Sequence, residues 1–326
     1  MSSLGSAEIL PSSEGELDIL GLTGEIAARS PGQLFWRRLK SDRVAMASFM
    51  FIVLLIFVAI FAPLVIKVLG LPGPNVQNLN LTDEFGSPDG PSAAHPMGVD
   101  QLGRDVMSRV IYGTRVSLVV GIVGTGISTF IGVIVGLVAG FYRGWADTLL
   151  SRFMDVVLSI PLLLLGIGIG AACAVNGCLG GALQPGLGVV IFLIALGTWP
   201  YMARIVRGLV LSLREREFVD ASRALGASDL RIMFREILPN LGAPIIVFAS
   251  LQIPTNILIE AALSFLGVGI RPPTASWGQM IASATPIFQT AWWYMVYPGL
   301  ALLFTVLAFN LLGDGLRDAL NPRNAA

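Results

Sequence analysis

The chain has 326 residues, of which 54% are hydrophobic and only 13% carry a formal charge, and its formal net charge is zero. Soluble domains carry about twice that charged fraction, and several apolar runs reach the roughly 20 residues that cross a bilayer as a helix. This composition excludes an ordinary soluble domain and predicts an all-α polytopic membrane protein. Apolar and polar residues do not alternate with period two, so a transmembrane β-barrel is not expected.

The inventory of reactive side chains argues against an enzyme. Neither of the two lysines, Lys40 and Lys67, stands in a G-x-x-x-x-G-K-[ST] nucleotide-binding loop. One histidine, His95, and two cysteines are too few for a typical zinc site or a Cys-His nucleophile. We therefore predict no catalytic residue, no metal site and no cofactor in this chain, so any ATP-driven work requires another polypeptide.

Six apolar runs of membrane-spanning length follow a polar start. Residues 1–33 are rich in Ser, Gly and acidic side chains, which predicts a flexible cytoplasmic tail. A basic and aromatic collar then runs from Phe35 to Arg43, as is typical of a cytoplasmic membrane interface. The predicted spans are residues 44–66, with a break near Pro63, then 116–142, 153–174, 187–210, 241–262, and a last one from Trp292 to about Leu312.

The distribution of basic residues orients these spans. Basic residues concentrate in the collar, in the loop at residues 211–240 and in the C-terminal tail, which lie on one side of a six-span topology. By the positive-inside rule that side is cytoplasmic, so both termini are predicted to be cytoplasmic. The chain then divides into the tail, a segment 34–115 with the first span and an outer loop, and a five-helix core 116–326.

The outer loop after the first span ends in an amphipathic pattern. Over residues 102–115 the apolar side chains fall near one helical face, and Arg104, Asp105 and Arg109 fall on another. We predict a short helix at the outer surface, separate from the next span. Its arginines conflict with the positive-inside rule, and an i,i+4 pair of Asp105 with Arg109 would reduce the conflict. His95 is predicted to be a structural loop residue rather than a metal or haem ligand.

The five-helix core contains proline, glycine and cysteine residues that predict local structure. Residues 143–152 predict a tight cytoplasmic turn with both charge signs, and Pro161 predicts a kink in the third span. The second span is rich in glycine, which allows close helix packing. Cys173 and Cys178 flank the start of an outer loop, where an oxidising compartment would permit a disulfide. Two unpaired thiols are equally compatible with this spacing.

The segment 217–239 is the most charged interior part of the chain. It lies between two membrane-length apolar runs, and its mixed charges cannot lie in hydrocarbon, so it predicts a structured cytoplasmic loop. Gly226 permits a close backbone approach or a turn, at a cost to helix stability of roughly 1 kcal/mol. Its small residues would let it dock closely in a cleft, and the alternative is a solvated loop without a partner. These small residues are Ala221, Ala224 and Ala227.

Three polar residues of the fifth span are candidates for a translocation path. Gln252, Asn256 and Glu260 are spaced i, i+4, i+8, so they share roughly one helical face. Polar groups within spans are costly in lipid and are functional candidates for that reason. We predict that this face lines the path, and the alternative is hydrogen bonding between helices of the bundle.

Several motifs then resemble a known family. The inner-membrane permeases of bacterial ABC importers carry a cytoplasmic E-A-A-x-x-x-G motif followed by I-x-L-P. Here Asp replaces Glu, Ser replaces the second Ala, and Glu236 takes the first Ile slot beside Ile237. The matching positions are Asp220, Ala221, Ser222, Gly226, Leu238 and Pro239. Four further blocks are similar to the second permease of dipeptide and oligopeptide importers: HPMGVDQLGRDVMSRVIYGTRVSL from His95, AGFYRGWADTLLSRFMDVVLSIP from Ala139, ILIEAALSFLGVGIRPPTASWGQM from Ile257, and the stretch from Trp292 to Arg323.

This resemblance implies a type I ABC-importer permease in the bacterial inner membrane. It implies partners, namely a second permease, two cytoplasmic ATP-binding subunits or domains that hold ATP and Mg, and an extracytoplasmic solute-binding protein, but no nucleic acid. Substrates of the subfamily include di- and oligopeptides, nickel, glutathione and haem. The residues expected to couple to the ATPase are Glu217, Asp220, Ala221, Ser222, Ala224, Leu225, Gly226, Ala227, Leu238 and Pro239.

Two other classes of protein compete with this interpretation. A stand-alone secondary transporter would show inverted repeats with broken helices, and no convincing inverted repeat is visible. A membrane receptor or scaffold would predict a sizeable soluble domain, and no loop is long enough for one. The charged segment 217–239 is the feature that separates an ATP-driven importer from both.

Overall fold

The computed structural model describes residues 31–84, 86–173, 177, 178, 181, 183 and 185–320. Within these ranges the chain is helical, and its extended residues form only isolated bridges rather than strands. Residues 1–30 of the predicted tail 1–33, most of the outer loop after Cys173 and the last six residues lie outside the described residues, and residues 31–33 are helical instead of part of a flexible tail. The all-α prediction is confirmed for the part that the structure describes.

The N-terminal segment forms three helices. Helix α1 covers Pro31–Ser41, α2 covers Arg43–Ile60 and α3 covers Ala62–Val68. The carboxylate of Asp42 caps α2 by accepting hydrogen bonds from the backbone N–H groups of Val44 and Ala45. The predicted break near Pro63 is confirmed, since α2 ends one residue before α3 begins.

Helix α4 runs without interruption over Val106–Tyr142, a length of 37 residues. The prediction of a separate surface helix over residues 102–115 is therefore wrong. Asp105 caps α4 by accepting a hydrogen bond from the backbone N–H of Ser108 at 2.7 Å. No proline or other breaker separates residues 106–115 from the apolar run that follows, so the amphipathic turn continues directly into the span.

The third span is broken. Helix α5 covers Gly144–Ser159 and α6 covers Leu162–Ala172, and their axes differ by 76° at the break before Leu162. The prediction of a kink at Pro161 is confirmed, because proline removes a helical hydrogen bond and clashes with the preceding turn. The predicted turn at 143–152 is wrong, since only Arg143 connects α4 to α5 and the residues after it are helical.

The remaining described helices complete the bundle. Helix α7 covers Leu187–Leu213, α8 covers Glu217–Ala224, and a helical stretch with a π turn at Ile232–Ile237 leads to α9 at Gly242–Phe265. A short helix α10, Trp277–Ala284, lies in the predicted outer loop. Helix α11 extends over Trp293–Leu320, about two turns beyond the predicted end near Leu312.

Small residues bring α4 and α7 close together. A Cβ atom on Gly136 would lie 2.5 Å from the carbonyl oxygen of Ala203, and one on Gly132 would lie 2.7 Å from that of Trp199. Because no side chain fits between the two backbones there, the predicted close packing of the glycine-rich span is confirmed. Five described helices are long and apolar enough to cross a membrane, and the broken pair α5 and α6 makes a sixth when it is counted as one span.

Candidate functional site

Helix α8 is anchored to the membrane bundle by one buried face. The side chain of Val219 is fully buried, and it packs in one cluster with Val206 and Val210 of α7 and with Ile232 and Ile237 of the following π turn. This cluster also includes Leu137, Phe141, Met202, Met233 and Leu241. The charged segment is thus a structured extension of the bundle, as its position between two membrane-length apolar runs predicted.

The opposite face of α8 is exposed. Glu217, Asp220, Ala221 and Ala224 are exposed there, and Ser222 is half-buried. The side chain of Leu225, which follows the helix, is 88% exposed. A leucine projecting from a cytoplasmic helix into water loses the free energy of burial, on the order of 2 kcal/mol, unless another chain covers it.

Gly226 ends the helix with a left-handed turn. Its φ is +77°, a conformation that residues with a Cβ adopt at a cost of roughly 1 kcal/mol or more. The backbone N–H of Gly226 donates to the carbonyl of Arg223, and that of Ala227 donates to the carbonyl of Ser222. These bonds satisfy the last helical carbonyls and fix where the exposed Leu225 projects.

Pro239 shapes the return to the membrane. Leu238 is half-buried and Pro239 is exposed, and they start the short helical piece Leu238–Asn240. Upstream, the backbone N–H of Leu238 reaches the carbonyl of Met233, which is the i to i−5 pattern of a π turn. A proline at 239 cannot donate a hydrogen bond and clashes with the carbonyl four residues earlier, so a widened turn before it is the expected response.

Cationic side chains surround the ring of Phe141 next to α8. The guanidinium of Arg223 lies 5.8 Å from the ring centroid and that of Arg214 lies 5.9 Å from it. Arg214 also donates to the carbonyl oxygen of Phe141. Burial, followed by the neighbouring guanidinium groups of Arg143 and Arg223, lowers the pKa of Arg214. These contacts connect the segment 217–239 and the end of α7 to the cytoplasmic end of α4.

Two ion pairs connect the broken span to α7, and the sequence reasoning missed them. Arg207 donates to both carboxylate oxygens of Asp147, at 2.5 and 2.7 Å, and Arg204 donates to Asp155 at 2.6 Å. Opposite charges at the cytoplasmic ends of neighbouring spans were the available signal. The pairs hold α5 against the cytoplasmic end of α7, which leads into the segment 217–239.

The three polar residues of α9 share one face, as predicted, and that face meets α4. Asn256 donates to Thr125 at 2.8 Å, and Glu260 accepts hydrogen bonds from Ser117 at 3.0 Å and from Ser264 at 2.8 Å. Gln252, which is half-buried, donates to the hydroxyl of Ser128 and to the carbonyl of Thr198. Asn256 and Glu260 are fully buried.

A cavity of about 620 Å³ lies beside the break in the third span. Gln252 and Asn256 contribute to its wall, together with Thr198 and Tyr201 of α7, and the rest of the wall is mainly apolar. Glu260 is not among its lining residues. The side-chain oxygen of Asn256 has no hydrogen-bond partner among the described residues. The cavity is therefore an apolar space with a few polar groups, as is typical of ligand sites.

Hydrogen bonds and ion pairs connect residues at the outer end of the bundle. Asp100 accepts a hydrogen bond from Arg104 at 2.7 Å and lies 3.5 Å from Arg109, so the predicted pairing of Asp105 with Arg109 is wrong. Asp105 instead caps α4 and pairs with Nδ1 of His95 at 2.8 Å, which gives His95 the predicted structural role. Capping holds the Asp105 carboxylate at the helix end, where it cannot also reach one turn along.

The two cysteines are bridged. Cys173 and Cys178 form a disulfide with their Cα atoms 4.9 Å apart. Of the two possibilities that the spacing left open, the structure contains the disulfide. It closes the start of the outer loop that follows α6.

These features define a polytopic helical membrane protein with a structured, charged segment at its cytoplasmic face. Residues 132–325 match the family of the binding-protein-dependent transport system inner membrane component, and residues 30–83 match the N-terminal TM domain of oligopeptide transport permease C. The chain belongs to this family, as a bacterial ABC importer permease of the peptide group. The resemblance seen in the sequence is confirmed.

Similar proteins cover nearly the whole chain. The di/tripeptide transport system permease protein DppC of Pseudomonas aeruginosa is 42% identical over 299 residues, which are 91% of this chain and 94% of that protein. The glutathione transport system permease protein GsiD of Pectobacterium atrosepticum is 40% identical over 297 residues, with 91% and 93% covered. A solved structure of the inward-facing MetNI methionine ABC transporter has a TM-score of 0.56 at 22% identity, covering 66% of this chain and 97% of its own, which supports the type I permease fold.

Proposed function

We propose that this permease couples to a cytosolic ATPase through the exposed face of α8 and the turn that follows it. The observation that carries the proposal is Leu225, a large apolar side chain that is 88% exposed on a segment whose other face is firmly buried. Around it lie the small residues Ala221 and Ala224, which allow a close approach of a partner surface. A rigidly held exposed apolar group of this kind favours a protein interface over a solvated loop.

The other residues expected to couple to the ATPase lie on or near the same surface. Glu217 and Asp220 give it negative charge on the first turn of α8, and Gly226 fixes the direction of the chain after Leu225. Ser222, Ala227, Leu238 and Pro239 lie at the edge of the surface or on the path back to the membrane. In this proposal the chain is a non-catalytic subunit. ATP and Mg are bound by two partner subunits, and a second permease and an extracytoplasmic binding protein complete the importer.

The translocation path is proposed to run along the cavity beside Pro161. Gln252 and Asn256 line this cavity from α9, and the half-buried amide of Gln252 would present its polar groups to a passing solute, whereas the side-chain oxygen of Asn256 is buried in the wall. Glu260, bonded to Ser117 and Ser264, would hold the same face in place rather than meet the solute. Peptides carry N–H donors along their whole length, which agrees with this lining.

Di- and oligopeptides are the proposed substrates, and glutathione is the second candidate because one group of relatives is named for it. Both are amide-bearing peptides, so the lining does not separate them. Uptake of labelled di- and tripeptides, glutathione and nickel by cells with and without this subunit would identify the substrate. Nickel uptake alone would overturn the peptide assignment.

The docking proposal is tested by replacing Leu225 with Asp. Because the side chain is exposed, the subunit should fold and assemble in the membrane, yet transport and transport-linked ATP hydrolysis should fall at least tenfold.

Leu303→Asp is unsuitable as a control because it would place a charge in lipid. The matched pair is therefore Leu225→Ala and Leu303→Ala, at two exposed leucines. Transport lost equally in both, or unchanged in Leu225→Asp, would contradict the proposal.

A further inference from the structure

The outer arginines of this chain differ in how their charges are satisfied. Arg104 and Arg109 are buried and share Asp100. Arg115 lies on α4, nearer the membrane interior, and is exposed. None of the described residues forms a hydrogen bond or an ion pair with its guanidinium. Outside the described residues, acidic side chains occur only within residues 1–30. An anion that pairs with Arg115 would therefore come from outside this chain.

Arg115 lines an apolar groove between α2 and α4. The groove has a volume of about 340 Å³. Leu118 and Ala59 form its buried floor, and the other wall residues are partly or largely exposed toward the membrane. On α4 the wall residues recur at helical spacing, and on α2 they form a matching stripe. The two helices therefore form one continuous groove. The wall consists of Ile56, Ala59, Ile60, Arg115, Leu118, Val119, Ile122 and Val123.

The guanidinium stands at the outer end of this groove. Helix α2 rises about 27 Å from Arg43 to Ile60, which nearly crosses the roughly 30 Å of hydrocarbon. Ile60 and Arg115 line the same groove, so Arg115 lies near the outer boundary of the hydrocarbon. From Arg115 to Val123 the apolar wall continues inward for about 12 Å.

We propose that this groove binds a phospholipid of the outer leaflet, with its phosphate on Arg115 and an acyl chain along the apolar wall. A guanidinium forms two parallel hydrogen bonds to phosphate oxygens, and at the outer boundary of the hydrocarbon its long side chain reaches the level of the lipid phosphates. The apolar wall below it suits the part of an acyl chain that lies next to the headgroup. This site also accounts for the third arginine of residues 102–115, since lipid rather than a side chain supplies its counter-charge.

The test compares lipid retention by the intact purified importer and its variants, using native mass spectrometry and quantification of phosphate. Arg115→Gln should weaken retention of one phospholipid about tenfold, as expected for the loss of one charge-assisted contact. The matched control is Lys67→Gln, an exposed outer cation on α3 that does not line the groove, and it should retain lipid like the wild type.

A second variant keeps the cation and fills the groove. Val119→Trp should also displace the lipid, because the ring would occupy the wall where the acyl chain lies. Thermal unfolding of each variant complex shows whether it is folded. Equal retention by Arg115→Gln and Lys67→Gln in folded complexes would overturn the proposal. So would a structure of the importer in which a carboxylate of the second permease meets Arg115.

Discussion

Arg109 is a fully buried guanidinium at the outer end of the bundle, and its contacts come from three parts of the chain. It donates to the carbonyl of Pro74 at 3.1 Å and to the side chain of Gln279 at 3.2 Å, and it lies 3.5 Å from Asp100. A single side chain thus joins the first outer loop, α4 and α10. Its planar group with five donors suits this arrangement better than an ammonium group does.

Replacing Arg109 with Gln should destabilise the subunit by about 3 kcal/mol, because buried acceptors lose their donor and Asp100 loses part of its counter-charge. Arg109→Lys should recover only part of this loss, since one ammonium group cannot reach all three acceptors. Thermal unfolding of the purified complex measures the effect, with exposed Arg235→Gln as the control. Equal melting temperatures for Arg109→Gln and Arg235→Gln would contradict this role.

Gly226 has a different task, which is to end α8 in a conformation that other residues avoid. Gly226→Val should destabilise this turn and lower transport several-fold, while the bundle stays folded because no neighbouring atom lies within 4 Å of a Cβ there. Gly208→Val on α7 has equal space but ordinary helical φ, so it should transport nearly normally. Hydrogen exchange at residues 217–228 reports the loosening. Unchanged exchange and transport would rule out a need for glycine.

Among the helices, the close packing of α4 against α7 depends on three glycines of α4. Gly132, Gly136 and Gly140 all face backbone or Cβ atoms of α7 at less than 3 Å from a built Cβ. Gly136→Val should therefore force the helices apart and greatly reduce the amount of folded protein. Gly126→Val on the same helix faces open space and should be tolerated. Yield and melting temperature give the measurement, and similar values for both variants would contradict the packing argument.

One link between helix α5 and α7 is the two-point contact of Asp147 with Arg207, which acts beside the apolar contacts of Met154 with α7. A double-mutant cycle with Asp147→Asn and Arg207→Gln should give an interaction energy of about 1–2 kcal/mol, because the pair is partly shielded from water. The more exposed pair Arg152 and Asp155 should give less than about 0.5 kcal/mol in the same assay. An interaction energy near zero for the first pair would mean that α5 is held by its apolar contacts alone.

For the molecule as a whole, the six spans place residue 84 and residue 228 on opposite sides of the membrane. Both positions are exposed, and the two native cysteines are bridged, so a new thiol would be the reactive one. Glu84→Cys should react with a membrane-impermeant maleimide in intact spheroplasts. Ser228→Cys should react only after permeabilisation. Labelling of both from the same side would overturn the topology.

Much of the architecture followed from local chemistry. The span count, the break at Pro63 and the kink at Pro161 depend on hydrophobic length and on proline, which act within a few residues. The charged segment 217–239 was recognisable because its neighbours are apolar, and its position in a known motif agreed with the family match. A prediction was wrong where two local patterns adjoin. At residues 102–115 an amphipathic turn and the following span form one helix instead of two.

Sequence alone indicated a six-span permease with a charged cytoplasmic segment, because hydrophobic length, charge bias and motif spacing are properties of the chain in order. Only the tertiary structure decided which partners the charged and polar groups take. It gave Arg109 to Asp100 instead of Asp105, joined Asp147 to Arg207 across 60 positions, and left Arg115 facing an apolar groove. Such pairings depend on which helices become neighbours, and long-range packing sets that arrangement rather than any local pattern.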